Sequence, residues 1–119
     1  MARILLADDD ATTRDLVKRA LESEGHAVTV TQDGLEALER LSGAEFFDVL
    51  VTDVHMPGLD GLGLAERAAQ IAPSIRILMM SGFPEELAKA KQIKVQKMAA
   101  ISKPFTLEQV RTTVRGLLG

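Results

Sequence analysis

Five short apolar segments alternate along the chain with five longer amphipathic ones. Ile4, Leu5, Leu6 and Ala7 form an unbroken apolar run, the pattern of a strand covered on both faces. Residues 11–24 place Leu16, Val17, Ala20 and Leu21 on one helical face, and Gly25 supplies the stop. Residues 27–31 are rich in β-branched side chains and predict a second strand. Asp33 with Glu36 opens a helix that runs through Leu41. A third strand over 47–52 centres on Val49, Leu50 and Val51, and an Ala- and Leu-rich helix over 60–72 stops at Pro73. A fourth strand covers 75–80. Pro84 then takes a first helical position, where Glu85 and Glu86 suit the positive end of the helix dipole. Residues 84–97 are thin in apolar positions (Leu87, Ala88, Ile93, Val95) and crowded with Lys89, Lys91, Lys94 and Lys97, which predicts a short or mobile helix. A fifth strand follows over 99–102. Thr106 with Gln109 caps a last helix bearing Leu107, Val110, Val114, Leu117 and Leu118.

Strands that alternate with helices pair in parallel, because a parallel neighbour is reached only by a crossover connection. The pattern therefore predicts an α/β fold of five βα units, a parallel sheet with helices on both faces. At 119 residues the expectation is a single domain over 1–119 with no output domain after the last helix.

Composition narrows the class of function. The absence of cysteine excludes disulfides and thiolate metal sites. No apolar run approaches a membrane span, and no basic segment leads into a signal-peptide core, so a cytoplasmic location and no membrane partner are expected. With four Phe and no Trp or Tyr, stacking platforms for nucleic acid are missing and no nucleic-acid partner is expected. The net charge of −3 conceals a split: residues 1–60 hold 13 acids and 5 bases, residues 61–119 hold 4 acids and 9 bases. One acidic and one basic locality follow from that split.

In an open α/β sheet, ligands bind beyond the carboxyl ends of the strands. The polar residues collect there: Asp8, Asp9 and Asp10 after the first strand, Asp53 after the third, Ser81 after the fourth, Ser102 and Lys103 after the fifth. Carboxylates gathered at one rim repel unless a cation neutralises them, and oxygen donors without Cys suit Mg²⁺ (or Mn²⁺). Asp10 is read as the cap of the first helix. A carboxylate at Asp53 can attack phosphorus to give an acyl phosphate, with Lys103 pairing phosphoryl oxygens and Ser81 donating to another.

Asp8-Asp9, the run from Asp53 through His55, Met56, Pro57 and Gly58 to Asp60-Gly61, Ser81-Gly82 and Lys103-Pro104-Phe105 together resemble the response-regulator receiver domain. The resemblance spans essentially the whole chain. It implies a flavodoxin-like (CheY-like) fold with strand order 2-1-3-4-5 and a phosphoacceptor role for Asp53. It also implies direct Mg²⁺ ligation by Asp9, Asp53 and the backbone carbonyl of His55, with Asp8 acting through water. The His55 side chain would tune hydrolysis of the acyl phosphate, and Lys103-Pro104 resembles the cis step that aims the lysine. Gly58 and Gly61 would be the flexible punctuation of the loop, with Asp60 capping the next helix. One departure stands out: the switchable aromatic that the family often places three residues before the lysine is Ala100, with Phe83 a candidate substitute.

The resemblance further implies a phosphoacceptor rather than a turnover enzyme, supplied by a histidine kinase or histidine phosphotransferase. The output protein would dock on the face of residues 84–118, where Lys89, Lys91, Lys94, Lys97, Arg111 and Arg115 favour acidic partners. Stand-alone receivers of the CpdR type, which prime the ClpXP protease, are the most similar kind, which makes ClpX the implied partner. A phosphorelay shuttle or sink and a chemotaxis-like receiver remain open. So does a receiver-shaped interaction module that never carries phosphate. A more distant alternative is a haloacid-dehalogenase-type phosphatase: Asp8, Asp10 and Thr12 fit its opening motif, with Asp8 as nucleophile, but only Glu108 follows Lys103 as a late acid.

Overall fold

A computed structural model describes residues 1–119. Its elements are β1 (Arg3–Ala7), α1 (Ala11–Glu22), β2 (Ala27–Thr31), α2 (Gly34–Leu41), β3 (Val49–Asp53), α3 (Gly61–Ile71), β4 (Arg76–Ser81), α4 (Pro84–Ala90), β5 (Lys97–Ser102) and α5 (Leu107–Leu118). The strands form one parallel sheet in the order β2-β1-β3-β4-β5. This is the flavodoxin-like arrangement expected.

Alternate residues of a strand face opposite sides of its sheet, and both sides are apolar in the central strands. Ile4 and Leu6 join Val17 and Leu21 of α1 and Val110 and Val114 of α5 in one core. Leu5 and Ala7 join Ala37 and Leu41 of α2, Leu64, Ala65 and Ala68 of α3, and Ala90 of α4 in the other. The sheet is thus sandwiched between a two-helix and a three-helix layer. Connections from β1 and β3 diverge to opposite sides, which opens a crevice at their carboxyl ends.

Helix starts follow the caps in the sequence. Asp10, Asp33 and Asp60 accept backbone N–H bonds from Thr12, Glu36 and Gly63, and Thr106 with Gln109 completes a reciprocal capping box. Element ends shift by a residue or two against expectation, β3 to Val49–Asp53 and β4 to Arg76–Ser81 among them; three differences have a physical reason. β5 begins at Lys97, two residues before the expected start at 99, because backbone pairing with β4 needs no apolar side chain. The 84–97 segment is helical only to Ala90; Ile93 and Val95 pack on the core from the irregular stretch that follows. Leu16 is 45% exposed, so the packed stripe of α1 is Val17, Ala20 and Leu21 alone.

Candidate functional site

β1 and β3 deliver the carboxylates. Asp8 is fully buried just past β1; its Oδ1 accepts the Asp10 N–H at 2.9 Å, while its Oδ2 is buried without any partner. The Asp8 main-chain carbonyl accepts from Arg14 Nη1 at 2.8 Å, a link that fixes the turn into α1. Asp53 ends β3 and is 6% exposed, whereas Asp9 is exposed. One oxygen from each of Asp8, Asp9 and Asp53 lies within 4.8 Å of the others. Burial pushes the Asp8 carboxyl up to about 6, helped by the charges of Asp53 and Asp9 and opposed by its bond from Asp10 and by Lys103. Burial likewise raises Asp53, against the pull of the Lys103 ammonium.

Lys103, just past β5, places Nζ 3.2 Å from Asp53 Oδ2. Its own N–H donates to the Ser81 carbonyl at 2.8 Å, and the Lys103–Pro104 bond is cis. Ser81, at the end of β4, is buried, and its hydroxyl is bonded to α4 rather than to Asp53: Oγ donates to Glu86 Oε1 at 2.6 Å and accepts the Phe83 N–H at 3.0 Å. Asp10 stays out of the cluster, bound to Thr12 and Thr13 of α1, and the Thr13 hydroxyl holds its carboxyl below the ordinary range.

The His55 ring pairs with Glu86 and is not part of the cluster of Asp8, Asp9 and Asp53. Its Nε2 lies 2.7 Å from Glu86 Oε2, and Phe83 meets it edge-on with centroids 5.1 Å apart. Phe83 is itself half exposed, and Ala100 is half-buried against the three-helix core.

The two loop glycines have different reasons. Gly58 has φ +77°, a conformation that penalises other residues. Gly61 has no positive φ; a Cβ there would stand 2.1 Å from the Asp53 carbonyl oxygen, so close approach of α3 to the end of β3 demands glycine. Gly34, not singled out in the sequence, plays the same part where α2 meets Leu59.

A hard divalent cation fits this cluster: the donors are carboxylate oxygens, and the one orphaned buried oxygen, Asp8 Oδ2, is left wanting a positive partner. The late carboxylate that a dehalogenase-type phosphatase needs is not supplied by Glu108, which pairs with Arg111 and Arg115 on α5. Glu86, Arg14 and Gly34 escaped the sequence reading. Only Glu86 left a trace there, as an acid in a first helical turn.

The response regulator receiver domain profile matches residues 4–115. The chain is 37% identical over 118 residues to the response regulator receiver protein CpdR of Brucella abortus, covering 99% of this chain and 98% of that protein. It is also 35% identical over 119 residues to the sensor kinase CckA of Brucella abortus, of which it spans 12%. Among solved structures, the chemotaxis response regulator CheY4 of Vibrio cholerae superposes with a TM-score of 0.85 at 29% identity, covering 98% of each chain.

Proposed function

Since the chain belongs to the response regulator receiver domain family of two-component systems, we propose that Asp53 accepts a phosphoryl group from a histidine kinase or histidine phosphotransferase. An Asp53 carboxylate oxygen attacks the phosphorus of a phosphohistidine. The P–N bond breaks as the P–O bond of the acyl phosphate forms, and the departing imidazole nitrogen keeps the electron pair and takes a proton. Lys103 Nζ holds a phosphoryl oxygen, and the Ser81 hydroxyl, once turned from Glu86, donates to another. Asp9, Asp53 and the His55 main-chain carbonyl would hold Mg²⁺ (or Mn²⁺) directly, and Asp8 would hold it through a water. Bound there, the cation offsets the charge of the carboxylates and phosphoryl oxygens. The chain is a phosphoacceptor that assists its own phosphorylation and dephosphorylation.

The observation that carries this reading is the 3.2 Å contact of Lys103 with Asp53 beside two further carboxylates within 4.8 Å. Acetyl phosphate with Mg²⁺, followed by borohydride trapping and mass mapping, tests it. The expected label sits on Asp53, vanishes in Asp53→Asn and is lost in chelator. A label on Asp8 overturns it in favour of the phosphatase alternative.

The signal leaves by protein contact through the face of residues 84–118, in the cytoplasm, with the chain acting as a single domain. Similarity to CpdR over nearly its full length supports a protease-adaptor output, the unphosphorylated form binding ClpX. Likeness to CheY4 favours a chemotaxis-like output as the second reading. Pull-down of ClpX by the Asp53→Ala protein, but not by wild type with beryllofluoride, separates them; no retention in either state removes the adaptor role.

A further inference from the structure

Glu86 stands in the first turn of α4 with its side chain 19% exposed, and both its oxygens are engaged. Oε1 accepts the Ser81 hydroxyl at 2.6 Å, and Oε2 lies 2.7 Å from His55 Nε2. One carboxylate thus ties α4 to the two elements that flank Asp53: β4 through its last residue, and the loop after β3 through the ring two positions beyond the acceptor.

A serine hydroxyl carries one proton and can donate once. Here the Phe83 N–H occupies a lone pair of Ser81 Oγ at 3.0 Å, and the proton goes to Glu86. Donation to Glu86 and donation to a phosphoryl oxygen on Asp53 therefore exclude each other. We propose that Glu86 is a positioning residue that withholds the Ser81 hydroxyl in the resting protein, so that phosphorylation must break the Ser81–Glu86 bond and thereby release the first turn of α4. This rests on the assignment of Asp53 as phosphoacceptor.

Two features make the released state accessible. Once Ser81 turns, Glu86 Oε1 is a half-shielded carboxylate oxygen without that partner, close to a site gaining negative charge, and solvation draws it outward. The helix that carries it yields readily: α4 has seven residues, no side-chain bond at its N-cap Phe83, and Ala90 as its one buried residue. Glu86 thereby sets how strongly the resting arrangement is favoured before any phosphoryl group arrives.

The affinity of the full chain for beryllofluoride with Mg²⁺, measured by ¹⁹F NMR or calorimetry, tests this in wild type, Glu86→Ala, Ser81→Ala and the double variant. A hydrogen bond to a charged acceptor exceeds a neutral one, so Glu86→Ala is expected to tighten binding about tenfold. In the Ser81→Ala background the same substitution is expected to change affinity less than about twofold, because the competition for the proton is gone. No tightening, or equal tightening in both backgrounds, overturns the proposal; the second result would leave only a long-range charge effect. Should Glu86→Ala fold poorly, the near-isosteric Glu86→Gln carries the test, with about threefold tightening and the same dependence on Ser81 expected. Wild type that binds no beryllofluoride sinks the phosphoacceptor assignment and this inference together, whereas binding indifferent to Glu86 sinks only the latter.

Discussion

β3 and β5 lie on either side of β4, yet all five residues of β3 are buried, whereas β5 exposes Lys97 and Ser102 and half-buries the four residues between. The two helices packed on β4 and β5 also differ. α5 has twelve residues, a complete capping box and three buried side chains, while α4 has seven residues, no side-chain cap bond and a single buried residue. Local opening costs least where few apolar contacts are lost, so the β1–β3 side is the stiff part of the molecule and the α4–β5 side the yielding part. The carboxylates belong to the stiff part. Ser81 and Lys103, the groups proposed to meet an incoming phosphoryl, come from the strands that border the yielding part. On the proposed function, chemistry and response fall in neighbouring regions of different firmness.

The sharpest test of that division is Lys103, a side chain delivered by the yielding side into the stiff one. Lys103→Ala is expected to slow phosphoryl uptake on Asp53 from acetyl phosphate about 10²–10³-fold, the usual loss when one fixed charge-stabilising donor is removed. Single-turnover labelling measures it. A loss under about fivefold means the 3.2 Å contact with Asp53 is incidental to the chemistry.

Stability should divide the same way. Leu50→Ala, in fully buried β3, is expected to cost about 3 kcal/mol, and Ile101→Ala, half-buried in β5, about 1 kcal/mol, from the contacts and cavity each leaves. Urea unfolding checks both. Equal costs would abolish the distinction between the two sides.

The buried acid gives a smaller effect with a definite sign. The Asp8 carboxyl, at about 6 in the folded protein against 3.8 ordinarily, binds its proton more tightly folded than unfolded. Its contribution to stability is therefore full below the unfolded value and is lost as pH rises through about 6. In chelator, wild type should lose about 1 kcal/mol relative to Asp8→Asn between about pH 5 and about pH 7.5. Excess Mg²⁺ should reverse that trend, since the cation needs the deprotonated carboxylates. A pH-independent difference between the two proteins would show that burial does not perturb Asp8.

Stiff and yielding parts were unequally legible in the sequence. Unbroken apolar runs such as Ile4–Ala7 and Val49–Val51 are determined by their own composition, and an Asp at the end of such a run has little choice of place. Caps at Asp10, Asp33, Asp60 and Thr106 are local codes, read within three residues. The Glu86 bonds are not local. They depend on the angle at which α4 leaves β4 and on a loop 31 positions back in the chain, and an acid in a first helical turn is already accounted for by the helix dipole. Gly61 was anticipated as flexible punctuation, but what it provides is room beside the Asp53 carbonyl, which only three-dimensional proximity reveals.

The basic face shows how far charge counts mislead without geometry. Arg111 pairs with Glu108 at 3.5 Å, and Arg115 pairs with Glu24 at 2.6 Å and with Glu108 at 3.6 Å, so both arginines of the expected patch are largely answered within the protein. The ion pairs of the chain leave Lys89, Lys91, Lys94 and Lys97 without a partner, and these cluster on and after α4. Replacing Lys89, Lys91 and Lys94 together by Gln should change unfolding free energy by less than about 0.5 kcal/mol, because no paired contact is lost. The same triple variant should bind an acidic partner more weakly and with a shallower dependence on salt, because unpaired surface charge acts through the screened field it presents. Arg115→Gln should behave the opposite way, lowering stability slightly through the lost Glu24 bond while leaving partner affinity nearly intact. If Arg115→Gln weakens partner binding as much as the triple lysine variant does, the contact surface extends across α5 and the yielding side is not the sole seat of the response.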